Sequence, residues 1–238
     1  MSLFRAELHI HSCLSPCADE DMTPCNLAGM ASLEGIGIAA LTDHNTAANC
    51  PAFFEACHRY GITPLGGMEL TTAEDIHLIC LFPTLEQTAA FDRAVRRVRM
   101  QALNRPHIFG RQLWMGPGDQ LLGEDPWFLP AATAWTLEEG ARQARKLGGV
   151  CYPAHIDREA NGLLAILGGF PQAPEFSTVE LREGKHRPLA RGRRMVTASD
   201  AHRLWEIGAS GFSLYLPAHP GEHTRITGAL LKYLEGKE

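Results

Sequence analysis

Histidines and carboxylates recur at the ends of short apolar runs in this sequence. His9 and His11 close the run "AELHIHS", and Asp200 and His202 close "RMVTASDAH" with the same spacing. Because side chains i and i+2 of a strand point to the same side, each pair can reach a single point. Further residues of these types lie in or at the end of other apolar runs: Asp43, His44, Glu69, His77 and His155. One strand-end histidine is usually a hydrogen-bonded structural residue, but the whole set predicts a metal site of imidazoles and carboxylates.

The apolar runs alternate with amphipathic segments along the chain, which favours parallel β/α units. Thr23 followed by Pro24 indicates a helix start, and Thr136 is expected to cap a second helix. In a β/α barrel the carboxyl ends of the strands carry the active site, so the polar strand ends would meet there. We therefore predict an α/β fold, a closed or partly closed barrel, with residues 1–238 as a single domain.

The segment near residues 100–135 interrupts this rhythm. It contains "RPHIFGRQLWMGPGDQLLGEDPWFLP", which is rich in Gly, Pro and Trp. We interpret it as an insertion or lid-like excursion from the barrel. Its Phe109 and Trp114 could cap the site by stacking on a base, but packing of the insertion onto the barrel is the favoured interpretation.

Composition limits the classes of function. With 45% hydrophobic residues, the chain can bury a large core. It has no run of about 18 apolar residues, so no membrane span is predicted. The net charge of −5 disfavours long duplex DNA as a partner. The start "MSLFRAELHIHS" has no apolar signal-peptide region, and the seven cysteines are odd in number, so we expect reduced thiols in a cytoplasmic protein. The spacing of Cys13, Cys17 and Cys25 is not that of a structural zinc cluster, which leaves redox-active or packed thiols.

The fragments "LHIHS", "LTDHN", "GMEL", "IHLIC", "PAHID" and "SDAH" occur in this order from Glu7 to about Gly211. Together they resemble the PHP (polymerase and histidinol phosphatase) family of metal-dependent phosphoesterases. The resemblance implies a distorted (β/α)7 TIM-like barrel of the PHP type with two or three metal ions. Zn²⁺, Mn²⁺ and Fe²⁺ suit such mixed ligands best, and Mg²⁺ is compatible.

The resemblance also implies a division of the ligands among the ions. One ion would be held by His9, His11, Glu69 and Asp200, and Glu69 would bridge to a second ion held by His77 and His155. A third would use His44, His202 and an acid after the first motif. Many family members have that acid where this chain has Pro16, but "DEDMTP" fits the spacing if three residues are inserted. Asp19 is therefore the first candidate and Asp21 the next, and Asp43 would support His44 or lie just outside the ions.

The chemistry implied is hydrolysis of a phosphoester by a metal-activated water. Asp200, His202 and Arg158 are the candidate catalytic residues: His202 could protonate the leaving oxygen if its metal ion were absent, and Arg158, directly after "AHID", could bind phosphate. The basic stretch 181–194 could form a phosphate-binding rim, although a solvated face is the favoured interpretation. The expected substrate is a phosphorylated small molecule or a short nucleotide.

Two alternatives stay open. An amidohydrolase-like metal-dependent amide hydrolase also uses an HxH motif and a late strand-end Asp, but often carries a carboxylated Lys between its metals. No Lys lies at a predicted strand end here, and Glu69 fills that position. A non-catalytic metal-binding domain would be expected to have lost ligands, whereas this chain keeps nearly the full set. No oligomeric state is specified by these patterns.

Overall fold

The computed structural model describes residues 1–237. The strands are β1 (Ser2–Ile10), β2 (Ile38–Leu41), β3 (Thr63–Thr71), β4 (His77–Phe82), β5 (Leu113–Met115), β6 (Leu121–Glu124), β7 (Val150–Pro153), β8 (Thr178–Leu181), β9 (Arg194–Thr197) and β10 (Phe212–Leu216). The helices are α1 (Pro24–Leu33), α2 (Cys50–Arg59), α3 (Leu85–Val95), α4 (Pro106–Phe109), α5 (Leu137–Lys146), α6 (Leu163–Leu167) and α7 (His223–Leu234). Short 3₁₀ turns cover Pro117–Asp119, Gly184–Ala190 and Leu204–Glu206.

The main sheet has the strand order β10-β1-β2-β3-β4-β7, and β8 and β9 form a separate parallel pair. Single backbone bonds join this pair to both sides of the main sheet. After β7, Ile156 N donates to Glu180 O at 3.0 Å, and after β1, His11 N donates to Ala201 O at 3.0 Å. The predicted α/β fold is thus confirmed as a curled half-barrel sheet, whose open side is spanned by β8 and β9 without continuous ladders.

One part of the strand pattern differs from the expected run of parallel units. β4 is antiparallel to β3, with Thr71 opposite His77, and β7 is antiparallel to β4. Only residues 72–76 separate β3 from β4, and a parallel neighbour needs a crossover of a dozen or more residues. The hairpin therefore places His77, the first residue of β4, at the same edge of the sheet as the carboxyl end of β3.

The helices cover the outer face of the sheet and its amino end. Every residue of β2, β3, β4 and β7 is buried, as expected for a sheet with both faces covered. The predicted caps are present: Pro24 begins α1 after Thr23, and Thr136 forms a capping box with Glu139 at α5. His223, which begins α7, bonds through Nδ1 to Thr63 Oγ1 at the start of β3, at 2.9 Å. α7 therefore lies at the amino ends of the strands and leaves their carboxyl ends free.

The insertion is present and contains α4 and the β5–β6 hairpin. It packs on the loop after β1, where Leu113 N donates to Cys13 O at 2.8 Å. The side chain of Trp114 is exposed and does not line the cavities beside the strand ends, whereas Phe128 does. Phe109 packs on Phe128 with ring centroids 4.5 Å apart. Within residues 1–237, no helix combines the length and apolar character needed to cross a bilayer.

Candidate metal centre

A single carboxylate, Glu69 at the end of β3, lies at the centre of the polar strand ends. Glu69 is 1% exposed, and its two oxygens face the nitrogens of five imidazoles. The partners are His77 Nδ1 at 2.7 Å, His44 Nδ1 at 3.0 Å, His155 Nε2 at 3.1 Å, His11 Nε2 at 3.2 Å and His9 Nε2 at 3.3 Å. Asp200 Oδ1 completes the group, at 3.3 Å from the Nε2 atoms of both His9 and His11. The structure therefore brings seven of the nine predicted metal ligands together at Glu69, and an eighth, His202, lies beside His11 and His44.

Several strands and two irregular backbone positions direct these side chains inward. His9 and His11 come from one side of the β1 end, and His77 comes from the start of the antiparallel β4. His155 and Asp200 follow β7 and β9 with φ angles of 25° and 53°. Positive φ is strained for residues other than glycine and clusters at functional sites. Here it turns both side chains from the strand ends toward Glu69.

The donor atoms fit a bound cation better than they fit one another. His9 Nε2 lies 3.1 Å from His11 Nε2, and His77 Nδ1 lies 3.3 Å from His155 Nε2. At most one nitrogen of each pair can carry a proton toward the other, and Nδ1 of the buried His44, although 3.0 Å from Glu69 Oε2, makes no aligned hydrogen bond. Three groups of donor atoms lie within 4.8 Å of one another and could hold metal ions: His9/His11/Glu69/Asp200, His44/Glu69/His77 and His11/His44/His202. Convergent imidazole and carboxylate donors are the arrangement that divalent transition metals require.

A layer of hydrogen bonds behind the imidazoles sets their orientation. His9 Nδ1 donates to Glu180 Oε1 at 2.9 Å, and Glu180 also accepts from the backbone N of His155 at 3.1 Å. Ser15 donates to Asp43 Oδ1 at 2.7 Å and lies 2.9 Å from His11 Nδ1. Because the Ser15 proton is directed to Asp43, His11 must donate its Nδ1 proton to Ser15. Both imidazoles thus keep Nε2 free for a ligand role.

Glu180 and Ser15 were not among the predicted site residues, and Asp43 fits the second of its two predicted places, just outside the ligand group. Glu180 lies in the buried strand β8, and a strand-borne carboxylate in "FSTVELRE" was the available signal. Asp43 accepts from the backbone N and the hydroxyl of Ser12, both at 2.7 Å, as well as from Ser15. It therefore supports the loop after β1 rather than the His44 imidazole.

The site holds its carboxylates ionised despite their burial. Burial alone would raise the pKa of Glu69, but His77, His9 and His44 hold it well below its ordinary value of 4.5. The pKa of Asp200 is likewise lowered, because His9 and His11 outweigh the effect of burial. Burial lowers the pKa of His77 to about 4, although Glu69 beside it opposes the shift, and this favours the neutral imidazole that a ligand role requires.

The structure places Asp19 and Asp21 apart from this group. The Asp19 side chain is 45% exposed, and its Oδ2 lies 3.8 Å from Arg203 Nε. Asp21 is also exposed. Cys17, in the same loop, is exposed. Desolvation would raise the pKa of its thiol, but the charges of His44 and His202 lower it from 9.0 to about 5.

Two adjoining cavities open on the group. One of about 720 Å³ is lined by Arg158, Arg182 and Arg203, and one of about 280 Å³ by Phe128 and the metal-type ligands. Both cavities are also lined by Cys17, Arg158, Asp200 and His202.

Asp200, His202 and Arg158 were the three predicted catalytic residues. His202 and Arg158 both line the two cavities, as Asp200 does. His202 is half-buried, and its Nδ1 donates to the backbone O of Asp200 at 2.7 Å, which leaves Nε2 without that proton. Arg158 contacts Asp200 Oδ2 through Nη1 at 3.2 Å. Of the basic stretch 181–194, Arg182 and His186 line the larger cavity.

Comparisons with known proteins agree with this geometry. The PHP domain profile matches residues 7–116, which include the strand ends from His9 to His77. Endonuclease Q from Pyrococcus furiosus superposes with a TM-score of 0.68 and 17% identity over 99% of this chain and 56% of its own. The chain therefore spans little more than half the length of Endonuclease Q.

Two further structures match over most of both chains. A protein from Bifidobacterium adolescentis described as a metal-dependent phosphoesterase has a TM-score of 0.60 and 18% identity, over 96% of this chain and 95% of its own. An amidohydrolase from Chromobacterium violaceum with bound sulfate and no metal has a TM-score of 0.58 and 20% identity. The match covers 89% of this chain and 92% of the amidohydrolase. At these identities the matches show a shared fold. No curated protein sequence matches the chain.

Proposed function

We propose that this chain, whose residues 7–116 match the PHP domain, is a metal-dependent phosphoesterase. It would hydrolyse a phosphomonoester or a small nucleotide or oligonucleotide phosphoester. The observation that carries the proposal is the buried Glu69, surrounded by five imidazoles beside Asp200, in a cavity that adjoins one lined by Arg158, Arg182 and Arg203.

The residues that would hold the metals follow from the contacts of Glu69. Its Oε1 faces His9, His77 and His155, and its Oε2 faces His11 and His44, so the carboxylate can bridge two ions. Zn²⁺, Mn²⁺ and Fe²⁺ are the cations that this ligand set favours. Such ions, when bound, supply a water of lowered pKa and neutralise charge on phosphoryl oxygens.

Arg158 would bind and orient the phosphoryl group. Its guanidinium is 38% exposed at the junction of the two cavities, and its contact with Asp200 holds it beside the ligand group. A guanidinium matches two oxygens of a phosphate with parallel hydrogen bonds. Asp200 would thus have two roles, as a ligand through Oδ1 and as an anchor for Arg158 through Oδ2.

His202 would hold a proton for the leaving oxygen or serve as a ligand. Its Nδ1 donates to the backbone O of Asp200, so its Nε2 either accepts a proton or binds an ion. The ring stacks on His11 with centroids 4.2 Å apart, which fixes its plane at the edge of the cavity. A histidine held in this way is suited to general acid catalysis.

The lining of the larger cavity favours a small substrate. Arg158, Arg182 and Arg203 share it with Asp157, Glu183 and Glu206, so positive charge is local and not a continuous stripe. Long duplex nucleic acid is bound chiefly through many phosphate contacts to lysine and arginine. The mixed lining suits a phosphomonoester or a short nucleotide better.

The experiment compares three substrates with each added metal. Para-nitrophenyl phosphate, its bis-ester and a dihydropyrimidine would be tested with Mn²⁺, Zn²⁺ and Fe²⁺ added to chelator-treated protein. We expect turnover of a phosphoester only. Turnover of the dihydropyrimidine alone would favour an amidohydrolase activity, and no turnover at all would favour a non-catalytic metal-binding domain.

Two histidine variants connect the activity to the site. His9→Ala should lose bound metal and phosphoester turnover, because His9 contacts both Glu69 and Asp200. His107→Ala, in the exposed helix α4, is the matched control and should change neither. Unchanged metal content in the His9 variant would refute its role as a ligand.

A further inference from the structure

We propose that Arg182 and His186, in the wall of the larger cavity, form a subsite for a second anionic group on the substrate. This group is a phosphate or a carboxylate on the leaving-group side of the phosphoester. The inference rests on the proposed phosphoesterase activity and names its substrate class, a phosphoester with two anionic groups. The remaining basic residues of the stretch 181–194 do not line this cavity.

One buried carboxylate ties the loop after β8 to the loop after β7. The Asp157 side chain is 2% exposed and accepts from the backbone N of Arg182 at 3.0 Å and from that of Glu183 at 3.3 Å. Its Oδ2 also lies 2.7 Å from His186 Nδ1. These three contacts fix the start of the loop, so Arg182 and His186 have set positions in the cavity wall.

The contact with Asp157 also orients the His186 ring. An ionised carboxylate can only accept hydrogen bonds, so His186 donates its Nδ1 proton to Asp157. Nε2 is then the nitrogen that remains for a ligand. Because an imidazolium carries a proton on both nitrogens, it can donate to an anion from Nε2 while Nδ1 stays bonded to Asp157. The side chain is 38% exposed and can therefore be reached from the cavity.

Arg182 is the arginine of this cavity that has no carboxylate partner of its own. Arg158 contacts Asp200 at 3.2 Å, and Arg203 contacts Glu206 at 3.3 Å. Within residues 1–237, no carboxylate oxygen lies within 4.0 Å of the Arg182 guanidinium nitrogens, and the residue is exposed. A free guanidinium can offer two parallel N–H groups to a phosphate or a carboxylate.

The carboxylates that share this part of the cavity wall are bound to donors of their own. Glu206 accepts from two backbone N–H groups, at 2.9 and 3.0 Å, and from Arg203 at 3.3 Å. Glu183 pairs with Lys185. Asp157 accepts from two backbone N–H groups and one imidazole. Their negative charges are therefore compensated within the protein and do not cancel the charge of the free guanidinium.

The larger cavity connects this pair of residues to the metal centre. Asp200 and His202 line it, and both also line the smaller cavity that holds the metal-type donors. Arg158, which would bind the phosphoryl group, likewise lines both. A substrate held there by its phosphoryl group can therefore extend its remaining part toward Arg182 and His186. The volume of about 720 Å³ lies within the range of roughly 300–1,000 Å³ that is usual for small-molecule sites.

The test measures phosphate release from a matched series of substrates by the metal-loaded full chain. Alkyl phosphates of increasing length are compared with the terminal alkane bisphosphates and the terminal carboxyalkyl phosphates of the same lengths. We expect kcat/KM to be about 10–100-fold higher for at least one of the two series with a second anion, because a charge-assisted hydrogen bond contributes about this factor. The preferred series distinguishes phosphate from carboxylate, and the preferred length reports the distance to the subsite.

Three variants test whether this preference depends on the two residues. Arg182→Gln and His186→Ala should each lower the ratio of the two kcat/KM values, second anion over plain alkyl chain, by about 10-fold or more. A general loss of activity lowers both values and leaves their ratio unchanged. Arg187→Gln removes an exposed arginine of the same basic stretch that does not line the cavity, so this matched control should keep the wild-type ratio.

The outcomes separate this inference from the proposed function. Turnover without preference for a second anion at any length would overturn the subsite and leave the phosphoesterase proposal standing. A preference that both variants retain in full would belong to other residues and would also overturn the inference. If no phosphoester is hydrolysed, the proposed function fails, and calorimetric titration with alkane bisphosphonates and alkyl phosphonates still tests the subsite. The bisphosphonate should then bind more tightly to the wild type but not to Arg182→Gln, and equal binding to the wild type would refute the subsite.

Discussion

Replacing Glu180 with glutamine tests whether the layer behind the imidazoles controls metal binding. Glu180 is 1% exposed and accepts two bonds, one from His9 Nδ1 at 2.9 Å and one from His155 N at 3.1 Å. Glutamine has the same shape but only one acceptor oxygen. Both bonds end on Oε1, so a glutamine oxygen in that place can keep them, but the NH2 group then replaces Oε2, which lies 3.2 Å from the same protonated Nδ1 of His9.

The expected loss follows from these two contacts. Outer partners of metal-binding histidines contribute about 10–100-fold to metal affinity or activity, which corresponds to roughly 1.4–2.7 kcal/mol. Because glutamine can keep the two bonds at Oε1 but sets a donor against the Nδ1 proton of His9, we expect Glu180→Gln to lie toward the lower part of this range. The negative charge that strengthens the basicity of His9 Nε2 is also lost in the variant.

The measurement is competition between the protein and a chelator of known affinity, with Zn²⁺ and Mn²⁺, in wild type and variant. Thermal unfolding in excess chelator shows whether the variant still folds. Glu159→Gln, an exposed carboxylate next to Arg158, is the control and should keep wild-type affinity. A folded Glu180→Gln protein with metal affinity within twofold of wild type would refute the reasoning.

Four further predictions test the site and the fold. Arg158→Met should raise the KM for para-nitrophenyl phosphate by about 10–100-fold with a smaller effect on kcat, because a charge-assisted hydrogen bond contributes roughly 1.5–3 kcal/mol; an unchanged KM would remove Arg158 from the substrate site. His202→Ala should lower kcat by about 10²–10⁴-fold if it protonates the leaving oxygen; steady-state kinetics with a substrate whose leaving group needs no proton should show a smaller loss. Chelation should abolish turnover and lower the melting temperature, and metal at 100 times its Kd should restore about 2.7 kcal/mol of stability; a melting curve insensitive to chelator would contradict a bound ion. Gly149→Ala should destabilise the fold by about 1–3 kcal/mol in urea unfolding, because its Cβ would lie 2.4 Å from the Phe82 ring, whereas Gly169→Ala has open space and should not.

Much of the site follows from local patterns in the sequence. The period of two in a strand places His9 and His11 on one side of β1, and this holds whatever lies next to β1. The start of α1 at Pro24 and the cap at Thr136 depend on nearest neighbours in the chain and are likewise encoded locally. The ordered strand-end residues, together with the α/β alternation, were therefore sufficient to predict the fold class and the residues that gather around Glu69.

The remaining features depend on contacts between distant parts of the chain. Periodicity predicts that β4 is a strand but does not specify the direction in which it runs. Because the connection 72–76 is short, β4 pairs antiparallel with β3, and His77 therefore lies next to Glu69. Glu180 reaches His9 across 171 residues of sequence, which no local pattern specifies. Asp19 lies outside the group because its carboxylate is directed toward Arg203, a residue that comes close to it only in the folded chain. By itself the sequence determined the types of donor and the strand ends that carry them, because these depend on local spacing. Only the tertiary structure decided which donors converge, because convergence depends on strand direction and on loops packed against one another.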